Sequence, residues 1–148
     1  MPTRSVLDTT LGLHIARASV VAYEAFELHI GRPHGLRKVD FSLLMLLADH
    51  EHLAPKRLVT MLSLTAPKLS MVLDRMQARG LIERRPDPSD RRSVQVTLTE
   101  QGLQLAQALQ PVARRMEQGL KKRLSAADHA RLIELLRKLA DGAAPTTG

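Results

Sequence analysis

The sequence contains no cysteine and no tryptophan, and its aromatic content is 2%, made up of two Phe and a single Tyr. Without Cys there can be no disulfide, thiolate metal ligand, thiol nucleophile or Cys-based redox sensor. So few rings exclude the stacking platforms that hold single-stranded nucleic acids, and a duplex read by helices fits the composition better. A run approaching about 18 apolar residues is also missing, and Met1–Ser5 does not lead into a signal-type apolar stretch. A cytoplasmic protein without a membrane partner is therefore expected. There is no G-x-S-x-G, H-E-x-x-H, P-loop or G-x-G-x-x-G segment, which leaves the histidines with Glu51 or Ser42 as the only material for catalysis. No enzyme and no cofactor are expected.

What is present suits one domain over 1–148: 148 residues with 44% hydrophobic content are enough for a single core. Lys plus Arg total 22 against 15 for Asp plus Glu, giving a formal charge of +7 and a pI near 10.5. That balance favours a polyanionic partner, nucleic acid first.

Leu7, Leu11, Ile15, Ala18, Val21, Ala22, Ala25 and Phe26 recur at three- and four-residue steps, which predicts a long amphipathic helix ending at Gly31. Arg32-Pro33-His34-Gly35 then breaks the pattern into a loop. Phe41–Ala48 reads as a buried helix with Asp40 as its N-cap, and Pro55 opens a short helix to about Leu62 behind a poor cap, Ala54. Thr65 is a better cap for the next helix, whose inward stripe is Leu69, Val72, Leu73 and Met76 and whose stop is Gly80. The period then changes to two. Leu81–Arg85 and the alternating Val94–Leu98 flank the turn-rich Pro86-Asp87-Pro88-Ser89-Asp90, a hairpin with a polar tip. Thr99 caps a helix from Glu100 to about Arg123 with a kink at Pro111, and Ser125–Asp128 has capping-box spacing before the stripe Leu132, Leu135, Leu136 and Leu139. The tail Ala143–Gly148 is expected to fray.

Two short helices, a capped helix ended by Gly and a hairpin with a basic tip make a helix-turn-helix followed by a wing. Asp90-Arg91-Arg92-Ser93-Val94-Gln95-Val96-Thr97-Leu98-Thr99-Glu100-Gln101-Gly102 fits D-x-R-x-x-x-V-x-L-T-x-x-G at every fixed position. On these residues, and on Val72–Arg85 as a recognition helix with its exit, the chain resembles the MarR (multiple-antibiotic-resistance regulator) family. The resemblance spans nearly the whole chain. It implies a mainly α fold with a small β-hairpin wing, a winged helix-turn-helix over about 40–98 and dimerisation helices over about 7–31 and 100–140. It also implies a transcriptional regulator, with repression the expected mode. The apolar faces of the terminal helices exceed what one helix-turn-helix needs, so a homodimer on a pseudo-palindromic operator is expected.

Lys68, Ser70 and Met71 stand near the start of the recognition helix, where side chains meet major-groove edges, although Met71 can instead pack on a neighbouring helix. Thr65 caps a helix start rich in free N–H groups that suit a phosphate. Arg92 is placed to enter a minor groove with Asp90 orienting its guanidinium, a pair of roles the resemblance also implies. Arg84, Arg85 and Arg91 are expected on phosphates. Pro67 and Lys68 depart from the family pattern, so operator preference does not transfer, and Ala54 replaces a common Ser or Thr cap.

The resemblance further implies a ligand lodged between the dimerisation helices and the DNA-binding lobe, acting by preferring one spacing of the recognition helices. His14 and Arg17 with Met45 and His50 are expected to line that crevice, Arg17 taking the carboxylate of a small aromatic acid. The same residues without a ligand give an exposed Arg17 and a partly buried His14. Two alternatives stay open. His50-Glu51-His52 near Asp49 offers zinc ligands, although adjacent histidines at a helix end point apart. An architectural DNA binder would ignore small molecules and bind many sequences equally.

Overall fold

The computed structural model describes residues 5–142. The readings made for residues 1–4 and for the tail 143–148 lie outside them. A 3-10 turn, Val6–Thr9, is capped by Ser5 and precedes α1 (Leu11–Phe26), so the first helix begins later than its apolar period suggests. At the other end the expected stop at Gly31 is corrected. The chain continues through a π-helical turn, Glu27–Gly31, into a single turn α2 (Arg32–His34). Pro33 sits in the first turn of α2, where a missing N–H is tolerated, and the stop is Gly35 at φ 60°.

In α3 (Lys38–Asp49) the N-cap is Arg37, not Asp40. Asp40 stands at the third helical position and turns back to accept the Arg37 N–H at 2.8 Å. Its carboxylate is 1% exposed and pairs with Arg75, so the residue serves both the helix start and the packing behind it.

α4 (Pro55–Leu62) and α5 (Ala66–Ala78) form as the sequence predicts. Thr65 Oγ1 accepts the Lys68 N–H at 3.4 Å, and Gly80 at φ 73° ends α5. β1 (Ile82–Pro86) pairs antiparallel with β2 (Val94–Leu98), Ile82 opposite Leu98 and Arg84 opposite Val96. Leu53 joins this ribbon from the α3–α4 connection: its N–H donates to Val96 O at 3.1 Å and its carbonyl accepts the Val96 N–H at 2.8 Å. α6 (Glu100–Lys121) carries Pro111 inside it, and α7 (Ala126–Asp141) follows. Ser125 accepts the Asp128 N–H at 3.1 Å, which is one half of the expected capping box.

The core gathers Leu43, Leu44, Leu58, Leu69, Met76, Ile82, Val96 and Leu109, all essentially without exposure, from α3, α4, α5, the ribbon and α6. One junction closes it. Thr99 Oγ1 donates to Gly80 O at 2.6 Å and accepts the Gly102 N–H at 3.0 Å, while the Thr99 N–H donates to Leu81 O at 3.1 Å. A Cβ on Gly102 would stand 1.9 Å from the Leu81 carbonyl oxygen. This gives the T-x-x-G spacing a physical cause: the cap hydroxyl needs the N–H three residues on, and that residue must be glycine to lie against Leu81. Gly102→Ala is expected to cost about 3 kcal/mol and lower Tm by roughly 10 °C. An unchanged melting curve would show that α6 can move off Leu81 without loss.

Candidate nucleic-acid interface

α5 turns Leu69, Val72, Leu73 and Met76 inward and leaves Lys68, Ser70 and Met71 exposed in its first turns. Met71 is 66% exposed, so packing on a neighbouring helix is ruled out for it. Exposed Thr65 forms the cap beneath them, and the α5 start therefore presents a hydroxyl, an ammonium and a thioether on one open surface.

The wing tip is shaped by two local carboxylate turns. Asp87 accepts the Ser89 N–H at 2.9 Å and the Ser89 hydroxyl at 2.7 Å. Asp90 accepts the Arg92 N–H at 3.0 Å and the Ser93 hydroxyl at 3.1 Å. The expected role of Asp90 is corrected here: it holds the main chain of Arg92 and not its guanidinium, because an Asp side chain reaches the backbone two residues on more readily than a long flexible side chain. Arg91 and Arg92 are exposed and have no ion-pair partner among the described residues.

The other expected phosphate contacts divide. Arg85 is 70% exposed and pairs only with exposed Glu83 at 2.5 Å, a surface pair that holds it weakly and leaves it able to meet a phosphate. Arg84 is engaged: Nε donates to Gln77 Oε1 and Nη2 to Asp74 Oδ1, both at 2.7 Å. Two further arginines fix α5 from its far side. Arg75 pairs with buried Asp40, while Arg79 donates to Gly35 O at 2.8 Å and His34 O at 3.0 Å. Sequence reasoning missed Lys56 and Arg57, exposed in the first turn of α4. Lys56 borders a cleft of about 530 Å³ with Pro55, Ser70, Leu73 and Arg84, beside the reading face. The basic pair directly after Pro55 is the signal that could have found them.

Residues 34–93 match the MarR family. Over 106 residues the chain is 33% identical to the HTH-type transcriptional repressor NicR of Pseudomonas putida, spanning 72% of this chain and 67% of NicR. The chain belongs to the MarR family. It is therefore a winged-helix transcriptional regulator of a family that is not one of enzymes. Its fold is similar to that of a mutant MarR of Escherichia coli complexed with operator DNA, with a TM-score of 0.78 and 29% identity over 87% of this chain and 92% of that one. It is also similar to BpsR of Bordetella bronchiseptica, whose DNA binding is regulated by 6-hydroxynicotinic acid: TM-score 0.83, 28% identity, 90% and 95% covered.

In this MarR-family chain the four residues expected around an effector are not gathered into one cleft. His14 is exposed rather than partly buried, with Nε2 at 2.9 Å from Asp8 O. Arg17 is exposed on the same helix, while Met45 is half-buried at the core margin. His50 Nδ1 lies 2.9 Å from Leu46 O. None of the four lines the cleft at Lys56 or a second one, of about 550 Å³, between Glu27 and 35–39. The zinc reading finds no site either: among the described residues no three His, Asp or Glu side chains are grouped to hold a metal ion. No helix among them is long and apolar enough to cross a membrane.

The Ser89 N–H, followed by the Ser89 hydroxyl, holds the Asp87 carboxyl below its ordinary value of 3.8. A carboxyl depressed on folding adds stability above its unfolded value and loses that contribution as pH falls through its folded value. The wing turn is therefore expected to be intact at neutral pH and to loosen only below pH 3.8. An NMR titration of Asp87 and the Ser89 amide checks this, and a shared midpoint at or above that value would show that the turn does not hold the carboxylate.

Proposed function

We propose that this chain acts as a homodimeric repressor that binds a pseudo-palindromic operator and leaves it when a small aromatic carboxylate binds. The observation that carries the DNA-binding part is the pairing of two open surfaces. The α5 start presents Lys68, Ser70 and Met71 for a major groove, and the wing presents Arg91 and Arg92 beside it. Thr65, Lys56 and Arg85 flank these with groups suited to phosphates, which fix register without reading sequence.

The dimer is supported by apolar side chains with nothing over them. Leu7, Leu11 and Ile15 at the start of the chain are exposed, as are Leu132, Ile133, Leu135, Leu136 and Leu139 on α7, which has no buried residue. An amphipathic helix with an open apolar stripe calls for a partner, and two-fold pairing would place two recognition helices about one DNA turn apart. Helices over about 7–31 and 100–140 would then form the dimer body of one domain, with about 40–98 as the reading head. Repression is supported by the likeness to NicR and the effector class by the likeness to BpsR. Arg17, exposed and without an ion-pair partner among the described residues, is the carboxylate anchor in this reading, with His14, Met45 and His50 as further contacts.

Fluorescence anisotropy on the DNA upstream of the coding region, against random competitor at fixed salt, tests the reading. Specific binding released by one aromatic acid is expected. Arg92→Ala should weaken operator binding at least about tenfold, or about 1.4 kcal/mol, and unchanged binding would remove the wing from the mechanism. Arg17→Ala should bind DNA normally and ignore the acid; a normal response would dismiss Arg17 as the anchor. Binding no tighter than to random DNA would favour an architectural role.

A further inference from the structure

We propose that Arg84 is a positioning residue for DNA reading: a strut that fixes the wing's angle to the recognition helix, and not a phosphate ligand. The proposal rests on the operator-binding reading above. Strand alternation puts Arg84 on the same face of the ribbon as Ile82, and its cross-strand partner Val96 is fully buried. Arg84 stays partly in solvent at the ribbon edge, and its guanidinium turns to acceptors on α5.

It finds two. Asp74 and Gln77 are one helical turn apart on α5 and so stand side by side, each 2.7 Å from a different nitrogen of Arg84. Only a planar fork spans both, which a lysine ammonium does not do. The Arg84 side chain is 31% exposed while that of Asp74 is 64% exposed, so the strut lies at the rim of the head, braced from the strand side.

Two consequences follow from that geometry. Asp74, a carboxylate already in contact with Nη2, competes with any phosphate for Arg84. Gln77, a residue type able to read adenine, has its oxygen engaged by Arg84, which opposes a bidentate contact with that base while the strut is in place. The wing also gains leverage from this brace: Arg92 lies eight residues beyond Arg84, so a small change of angle at the strut becomes a large displacement at the tip.

The test uses Arg84→Gln, Asp74→Asn, the double variant and Arg84→Lys. Operator and random-DNA affinities are measured across a salt series, and wing amide hydrogen exchange is measured without DNA. Each single variant is expected to lower the operator-over-random ratio by about tenfold, the double variant to be no worse than either single, and the salt slope to stay unchanged. Wing amides should exchange faster in each. A phosphate contact predicts the opposite pattern: Arg84→Gln would weaken operator and random DNA alike and reduce the slope by about one, and Asp74→Asn would tighten binding by freeing the guanidinium. That result overturns the strut, as does full function in Arg84→Lys. Because Asp74 is largely exposed, Asp74→Asn tests the pair without risk to the core. If the unaltered protein prefers no site over random DNA, the operator reading fails by itself. The exchange measurement then decides the strut: unchanged wing exchange would sink it, faster exchange would support it.

Discussion

The contact between Gly102 and the Leu81 carbonyl is the constraint on which the arrangement of this molecule turns. Four segments meet there within a few ångströms: the end of α5 at Gly80, the entry to β1 at Leu81, the exit of β2 at Thr99 and the start of α6 at Gly102. The Thr99 hydroxyl is shared between two of them, donating to one and accepting from the other. Recognition helix and wing are thereby fastened to the long helix α6, which packs along α3 and buries Ala106 and Leu109 in the core. A shift of α6 must carry the reading head with it.

The remaining face of α5 is held by charge. Arg75 reaches buried Asp40 and Arg79 reaches the carbonyls of His34 and Gly35, so the recognition helix is tied to the end of the first helical run and to the start of α3. Ion pairs with a buried member, such as Asp40–Arg75, add little net stability, because desolvation offsets attraction, but removing one partner leaves a charge stranded. Their effect here is on orientation. Together with Arg84 they brace α5 on both sides, while its first turns stay open. Rigid support around an open surface is what reading a fixed groove geometry requires.

What could be read from the sequence was local. Thr65, Gly80, Thr99 and Ser125 each mark a helix end through a bond to a near neighbour, and all four are where their residue types place them. Sequence reasoning misplaces Asp40 by three positions because Asp suits both the N-cap and the third position, and only its buried pairing with Arg75 decides between them. The π-helical turn at Glu27–Gly31 and the bridge at Leu53 leave no periodic trace. On α5, residue type and position are enough to expect Lys68, Ser70 and Met71 to be exposed, as they are, whereas the fates of Arg84 and Asp90 depend on competing partners. Asp90 holds its own backbone two residues on; Arg84 holds side chains seven and ten residues back.

This sorting of cations changes what the net charge of +7 means. Arg75 and Arg84 are paired with Asp40 and Asp74 inside the head, so they contribute less free positive charge to an approaching duplex, whereas Arg79 is tied to two carbonyls and keeps its charge. The cations that remain open around the reading face are Lys56, Arg57 and Lys68 at two helix starts, Arg85 on β1 and Arg91 and Arg92 at the wing tip. Helix N-termini and the narrow potential of a minor groove are where anions and cations, respectively, are drawn. Attraction to DNA is thus concentrated at the places where docking geometry is decided, while Arg75 and Arg84, which help to build those places, are engaged by carboxylates. A uniformly basic surface with the same net charge would bind DNA in many registers. A head in which Arg75 and Arg84 are paired in place and the open cations gather at two helix starts and along the wing favours one.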